Sequence, residues 1–99
     1  NSIFGDVMKY VLLGSISPSW LCQQAERYKK SNEKLTQLGI KQVSVLYTQG
    51  QYDFIETIEA PGPSSVLGFT IWYTKKGFGT IQTLPAFEDK EIRKIIKKG

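Results

Sequence analysis

The sequence of 99 residues contains no histidine, only one cysteine and no long hydrophobic run. Without histidine, the chain cannot build a histidine-dependent catalytic triad or a histidine-ligated zinc or haem site. The single cysteine, Cys22, excludes an internal disulfide and favours a reducing compartment. No apolar run approaches the roughly 18 residues that a membrane span needs. We therefore expect a cytoplasmic protein with no membrane partner, no metal and no cofactor.

The composition that remains is globular, with 40% hydrophobic and 22% charged residues. At this length it predicts a single domain with one modest core. We expect residues 8–99 to form that domain, and residues 1–7 to be a tag remnant or a disordered arm. Much of the net charge of +4 lies in the last ten residues. A solvated helix explains these cations, because the C-terminal end of a helix favours positive charge. A nucleic-acid or anion site is the alternative.

Hydrophobic periodicity predicts an order of strands and helices. The predicted strands are residues 8–15, 41–47, 51–59 and 78–84, and the predicted helices are residues 18–38 and 88–98. In the first strand, Val11 and Leu13 alternate with Tyr10 and Leu12, so both of its faces are apolar and need cover. The stripe of the first helix runs through Leu21, Ala25, Tyr28, Asn32, Leu35 and Leu38.

Residues 64–76 permit two interpretations. Phe69, Ile71, Trp72 and Tyr73 are strand formers. In contrast, Pro63 before the segment and Gly77 after it are typical of the two ends of a helix.

Residues 47–55, which read YTQGQYDFI, resemble the hairpin of the GYD domain family, and so does the Glu-Ala-Pro at 59–61 that follows. The resemblance covers Met8 to about Lys97. Two departures are Gln51 directly before Tyr52, and Gly62 where the family has an acidic residue. The resemblance implies an α+β, ferredoxin-like βαββαβ fold, with residues 64–76 helical and two sheets packed as a dimeric α+β barrel. It implies no established activity.

Five residues are candidates for ligand binding. Tyr52 and Asp53 point to opposite faces of a strand, and Asp53 either ties the hairpin or contacts a ligand. Four of the candidates are at alternate positions on strands, where they can share a face with Leu12, Phe54 and Phe78, although the sequence leaves the helix-facing side open; these four are Tyr10, Tyr52, Glu56 and Gln82. The five candidates are Tyr10, Tyr52, Asp53, Glu56 and Gln82. No catalytic residue is assigned.

Two further motifs have simpler explanations. Residues 76–79, Lys-Gly-Phe-Gly, match the start of an RNA-binding octamer, but Thr80 and Thr83 replace two of its three stacking rings. Cys22 lies near a predicted helix N-terminus, where a thiol can be reactive, and a small buried hydrophobe is the simpler interpretation. The missing rings argue against nucleic-acid binding, and the simpler interpretation of Cys22 argues against thiol chemistry.

The sequence predicts a small homo-oligomer, a homodimer or larger, formed through the face of the sheet that the helices leave open. We expect a binding or regulatory module that holds a small organic ligand between two sheets. The alternative is a metal-free enzyme of the oxygenase or isomerase type, by analogy of fold alone.

Overall fold

The structure is a computed structural model that describes residues 7–98. Within that range the chain forms β1 (Met8–Ile16), α1 (Gln24–Gln37), β2 (Lys41–Tyr47), β3 (Phe54–Ala60), α2 (Pro63–Lys75), β4 (Gly79–Ala86) and α3 (Asp89–Lys98). A 3-10 turn at Pro18–Trp20 lies between β1 and α1. The prediction for residues 1–7 falls, except for Val7, outside the described residues.

The four strands form one sheet in the order β2-β3-β1-β4, and every neighbouring pair is antiparallel. The first and third strands therefore lie at the centre, as in a ferredoxin-like βαββαβ unit. This confirms the predicted fold class.

The strands present two different faces. On β1, Tyr10 and Leu12 are 3% and 0% exposed, because they lie beneath α1 and α2. Val11 and Leu13 point to the other side, and no helix buries them completely. We call these the covered face and the open face. The parity that the sequence left undecided is thus settled for the whole sheet.

Residues 64–76 are helical, as predicted, although their composition favours a strand. Pro63 is at the first helical turn, and Gly77 follows the helix with a φ of 77°. Val66, Phe69 and Tyr73 recur at spacings of three and four, so all three are buried against the sheet. Burial of this stripe outweighs the local preference for a strand.

The covered face continues into an aromatic cluster around Phe78, which is 1% exposed. Its ring contacts Trp20, Trp72 and Tyr73 with centroid distances of 4.4, 5.5 and 5.4 Å, all in edge-on geometry. This arrangement is favourable for aromatic pairs. A ring packed in this way has no free face on which to stack a nucleic-acid base, so the octamer match has no structural counterpart.

The first helix differs from the prediction. Instead of one helix from residue 18, the chain makes the 3-10 turn and starts α1 only at Gln24. The break rotates the helix, so Leu21 and Tyr28 of the predicted stripe are exposed. Leu35 is buried as predicted. The prediction that Cys22 is a buried hydrophobe is wrong, because it lies in an exposed turn.

Two strand ends also differ. The third strand begins at Phe54, not at residue 51, so residues 48–53 form a wide loop rather than a tight turn. Gly50 in this loop has a positive φ, 131°. The last strand continues through Pro85. Since β4 is an edge strand, it can contain a residue without an N–H group.

The predicted C-terminal helix is present as α3, and its isoleucines lie on the outside. Ile92, Ile95 and Ile96 are 41%, 59% and 71% exposed, and α3 has no buried residue. This helix therefore does not cover the open face of its own sheet. Among residues 7–98, no helix is long and apolar enough to cross a membrane.

Candidate functional site

A buried carboxyl group lies in the middle of the covered face. Glu56 is on β3, paired in register with Leu12 on one side and Val45 on the other. Only 4% of the residue is exposed. Its Oε2 atom accepts a hydrogen bond of 2.6 Å from Nε2 of Gln42. Burial raises the pKa of Glu56, and this hydrogen bond opposes the shift only in part. The acid form is therefore favoured more than in an exposed glutamate.

A chain of hydrogen bonds leads from this carboxyl group to the surface. Gln42 donates to Glu56 through its nitrogen and accepts through Oε1 from the hydroxyl of Tyr28, at 3.1 Å. Tyr28 is 38% exposed. Its position follows from the late start of α1, which turns Tyr28 to the rim of the helix instead of its buried stripe. The buried acid thus has a polar connection to solvent.

Arg27, the residue before Tyr28, is buried to 3% exposure. Its Nη1 donates to the backbone oxygen of Trp20 at 2.7 Å, and its Nη2 donates to Oε1 of Gln24. The first contact ties α1 to the preceding 3-10 turn. Arg27 is therefore held in place at the start of the helix by two neutral acceptors.

Tyr73 of α2 completes the inner wall. Burial raises its pKa to about 12, although the positive charge of Arg27 opposes the shift. At neutral pH the group is a phenol, which can donate a hydrogen bond.

These side chains surround a cleft between α1, α2 and the β2–β3 pair. The cleft measures about 350 Å³ out to its open mouth, and the centre of a water molecule can occupy about 30 Å³ of it. The enclosed volume is therefore far below the range for ligand pockets, and most of the cleft is open to solvent. Two exposed rings, Tyr28 and Tyr47, are among its lining residues, which are Arg27, Tyr28, Ser31, Asn32, Gln42, Val45, Tyr47, Phe54, Glu56, Phe69 and Tyr73.

The structure separates the five residues predicted from the sequence. Only Glu56 lines the cleft. Tyr10 is also on the covered face, but its hydroxyl contacts the sulfur of Met8 at 3.5 Å. Tyr52 donates to Oε1 of Gln82 at 2.5 Å, and Gln82 is on the open face, because it pairs with Leu13. The four alternating positions therefore do not share a face.

Asp53 has a clear structural contact. Its Oδ2 accepts a hydrogen bond of 2.6 Å from the backbone N–H of Ile16, and its own N–H donates to the oxygen of Gly14 at 2.7 Å. Its backbone oxygen accepts from Thr48 at 2.8 Å. Asp53 thus ties the β2–β3 loop to the end of β1, one of the two roles considered from the sequence.

Sequence reasoning missed Arg27, Tyr28, Gln42, Tyr47 and Tyr73 as members of the site. One signal for Arg27 is present: it lies four residues before Ser31 and eight before Leu35, the buried residue of α1. Extending the stripe backwards from Leu35 at spacings of four reaches Arg27. A spacing of four followed by one of three reaches Tyr28 instead. The residue at which α1 begins decides which of the two side chains is buried.

Fold and cleft together define a class: a small ferredoxin-like α+β domain with a cleft of polar and aromatic side chains between its first helix and its sheet. The family model of the GYD domain matches residues 10–96. Since this is nearly the whole chain, the protein belongs to the GYD domain family. Among curated proteins, none matches the sequence.

Proposed function

We propose that this protein is a small homodimeric module that binds a small organic molecule in the cleft beneath α1. The observation that carries the proposal is the position of Glu56. A carboxyl group is costly to bury, and proteins seldom place one in a core without a partner or a use. Here it is at the wall of a cleft, joined to solvent through Gln42 and Tyr28.

We place the ligand at a different site from the one that the sequence predicted. The sequence favoured a pocket between two sheets, which would use the open face. The convergent polar groups that fix a small ligand are instead on the covered face of one chain. The open face supports the second half of the proposal, the homodimer. It carries five aliphatic side chains that no element of residues 7–98 buries: Val11, Leu13, Leu46, Ile55 and Leu84.

Dimerisation is a simple way to bury this surface, because a second copy of the chain offers an identical apolar face. The one helix that was available, α3, leaves its isoleucines exposed and does not cover the sheet. The dimer is thus supported by an apolar face and by the lack of cover within the described part of the chain.

Native mass spectrometry of the purified protein would identify a bound small molecule and the oligomer in one measurement. The site is then mapped by titrating that molecule, or a fragment found by screening, into isotope-labelled protein. We expect the resonances of Tyr28, Gln42 and Glu56 to shift, and those of Tyr52 and Gln82 to stay. The opposite pattern would place the ligand between the sheets.

One observation favours a second function, a metal-free enzyme. Glu56 is an acid with a raised pKa in a cleft, and groups of this kind serve as general acids or bases. An enzyme would convert the bound molecule, and Glu56→Gln would abolish conversion while leaving binding. If the molecule is bound and recovered unchanged, the binding function alone stands.

A further inference from the structure

The cleft contains a positive charge that no acidic side chain of residues 7–98 pairs with. Arg27 is 3% exposed, and a guanidinium group stays charged at any pH a protein tolerates. Of the ion pairs within residues 7–98, none includes Arg27. Its hydrogen-bond partners there are neutral: the oxygen of Trp20, the amide of Gln24 and the hydroxyl of Tyr73.

The neighbouring carboxyl group does not pair with this cation. Among the described residues that line the cleft, Glu56 is the one with a carboxyl group. That carboxyl accepts from Gln42, and it forms no ion pair with Arg27. Tyr73 hydrogen-bonds to Arg27 as a neutral phenol. Within residues 7–98, the cation at the inner wall therefore has no carboxylate in contact with it.

A buried charge without a counter-charge is costly, unless an anion is close. A guanidinium group has five donors, and its planar fork matches the two oxygens of a carboxylate. Within residues 7–98, two donors bond to Trp20 and Gln24 and the group also hydrogen-bonds to Tyr73, which still leaves donors without a partner in that range. The arrangement thus offers both the charge and the geometry that an anionic group needs.

We infer that the molecule bound in the cleft is a small organic anion, whose carboxylate pairs with Arg27. This inference rests on the proposed binding function and names its ligand class. The 30 Å³ that admits water exceeds the roughly 10 to 15 Å³ that one water needs, so the space suits a carboxylate group but not a whole ligand. The body of the ligand then lies in the mouth, where Tyr28 and Tyr47 offer aromatic faces and Gln42 offers an amide.

The test compares matched probes on the unchanged protein. Benzoate and benzamide have the same shape and differ in charge, and so do acetate and acetamide. Each is titrated into labelled full-length protein, and the resonances of Gln42, Glu56 and the Arg27 Nε–H group are followed. We expect benzoate to bind at least tenfold more tightly than benzamide and to shift the Arg27 resonance. Equal affinity of the two, or tighter binding of benzamide, would overturn the inference.

Three variants test whether Arg27 causes the preference. Arg27→Gln removes the charge, and we expect it to lose the preference for benzoate. Lys29→Gln removes the same charge from an exposed position of α1, and we expect the preference to remain. If these two variants reduce it equally, the effect comes from the overall charge of the helix, and Arg27 is not the binding group. Since Arg27→Gln also loses structural contacts, Arg27→Lys is the third variant, and it should keep part of the preference.

The outcomes separate this inference from the function on which it rests. Amides that shift the resonances of Gln42 and Glu56, while carboxylates do not, would leave the binding function in place and reject the anion. If carboxylates shift only Tyr52 and Gln82, the cleft is the wrong site and both fail.

Discussion

The covered and open faces are made by the same strands, and they treat polar groups in different ways. On the covered face, Glu56 accepts a hydrogen bond from Gln42 and is itself only 4% exposed. On the open face, Ser44 and Thr57 pair through their hydroxyls at 2.6 Å, and Lys9 pairs with Glu59 at 2.9 Å. These groups can exchange their partners for water, whereas Glu56 has few alternatives.

The two glutamates of β3 show the consequence most directly. Glu56 and Glu59 are three residues apart on one strand and point to opposite faces. Burial raises the pKa of Glu56, while the hydrogen bond from Lys9 lowers that of Glu59. The pKa of a glutamate thus shifts upwards on the covered face of β3 and downwards on the open face.

The largest expected difference between the covered and open faces is in packing. Leu12 and Leu13 test this difference, because they are adjacent on β1 and point to opposite faces. Leu12→Ala leaves a cavity in the covered face, where Leu12 is 0% exposed, and should lower the free energy of unfolding by about 2 to 5 kcal/mol. Leu13→Ala on the open face should cost well under half as much in the monomer. Urea unfolding of both variants, at protein concentrations too low for dimerisation, measures the difference. Similar losses in the monomer would mean that the open face is as tightly packed as the core.

The next effect is on assembly. Leu84→Asp places a charge in the open face, and we expect it to convert a dimer of twice 11.2 kDa to a monomer with unchanged secondary structure. Leu67→Asp is the matched control, because Leu67 is also exposed but lies on α2. Sedimentation velocity at micromolar concentration gives the masses. A wild-type monomer would refute the dimer, and dissociation by both variants would place the interface elsewhere.

A smaller effect on stability is expected in the loop between β2 and β3, which belongs to neither face. Gly50→Val should cost roughly 1 kcal/mol or more, because a β-branched residue is strained at positive φ. A side chain there meets nothing within 4 Å, so the loss comes from the backbone alone. Gly62→Val is the control, since Gly62 also has open space but an extended φ of 178°. Thermal unfolding compares them, and equal melting temperatures would mean that the loop relaxes freely.

The smallest effects are in the pH dependence of stability. The pKa of Glu56 in the folded state is above its ordinary value of 4.5, so the folded state binds the proton more tightly than the unfolded state does. Stability therefore falls as the pH rises from the ordinary pKa to the raised one. Glu56→Gln should therefore gain stability over the wild type as pH rises. Glu59 has a lowered pKa, so Glu59→Gln should lose a little stability at neutral pH, and this loss should vanish in acid. Urea titrations from about pH 3 to 8 at fixed protein concentration measure both; curves that move in the same direction would refute the assignment of faces.

The sequence predicted most of the fold because its signals were local and agreed with one another. Pro63 and Gly77 marked the ends of α2, and Val66, Phe69 and Tyr73 supplied a helical stripe. The family resemblance decided against the strand propensity of the segment. The α1 boundary failed because Ser17 and Pro18 are equally good signals for a 3-10 turn, and the sequence does not say where such a turn ends.

The candidate site was less predictable, since it depends on which face of each strand meets the helices. Alternation placed Tyr10 and Leu12 opposite Val11 and Leu13 without saying which pair is covered. The irregular pairing of β2 between Gln42 and Ser44 shifts the parity along that strand, so Gln42 and Tyr47 both lie at the cleft. The sequence pattern gave no sign that Arg27 is buried, because its burial depends on where α1 begins.

The two edges of the sheet have a consequence for behaviour in concentrated solution. At one edge the ladder of β2 is interrupted between Gln42 and Ser44, and at the other Pro85 removes an N–H group from β4. A bulge and a proline both prevent a further strand from adding in register. Both features disfavour the growth of the sheet into fibrils, so we expect the exposed apolar face to promote face-to-face rather than edge-to-edge association.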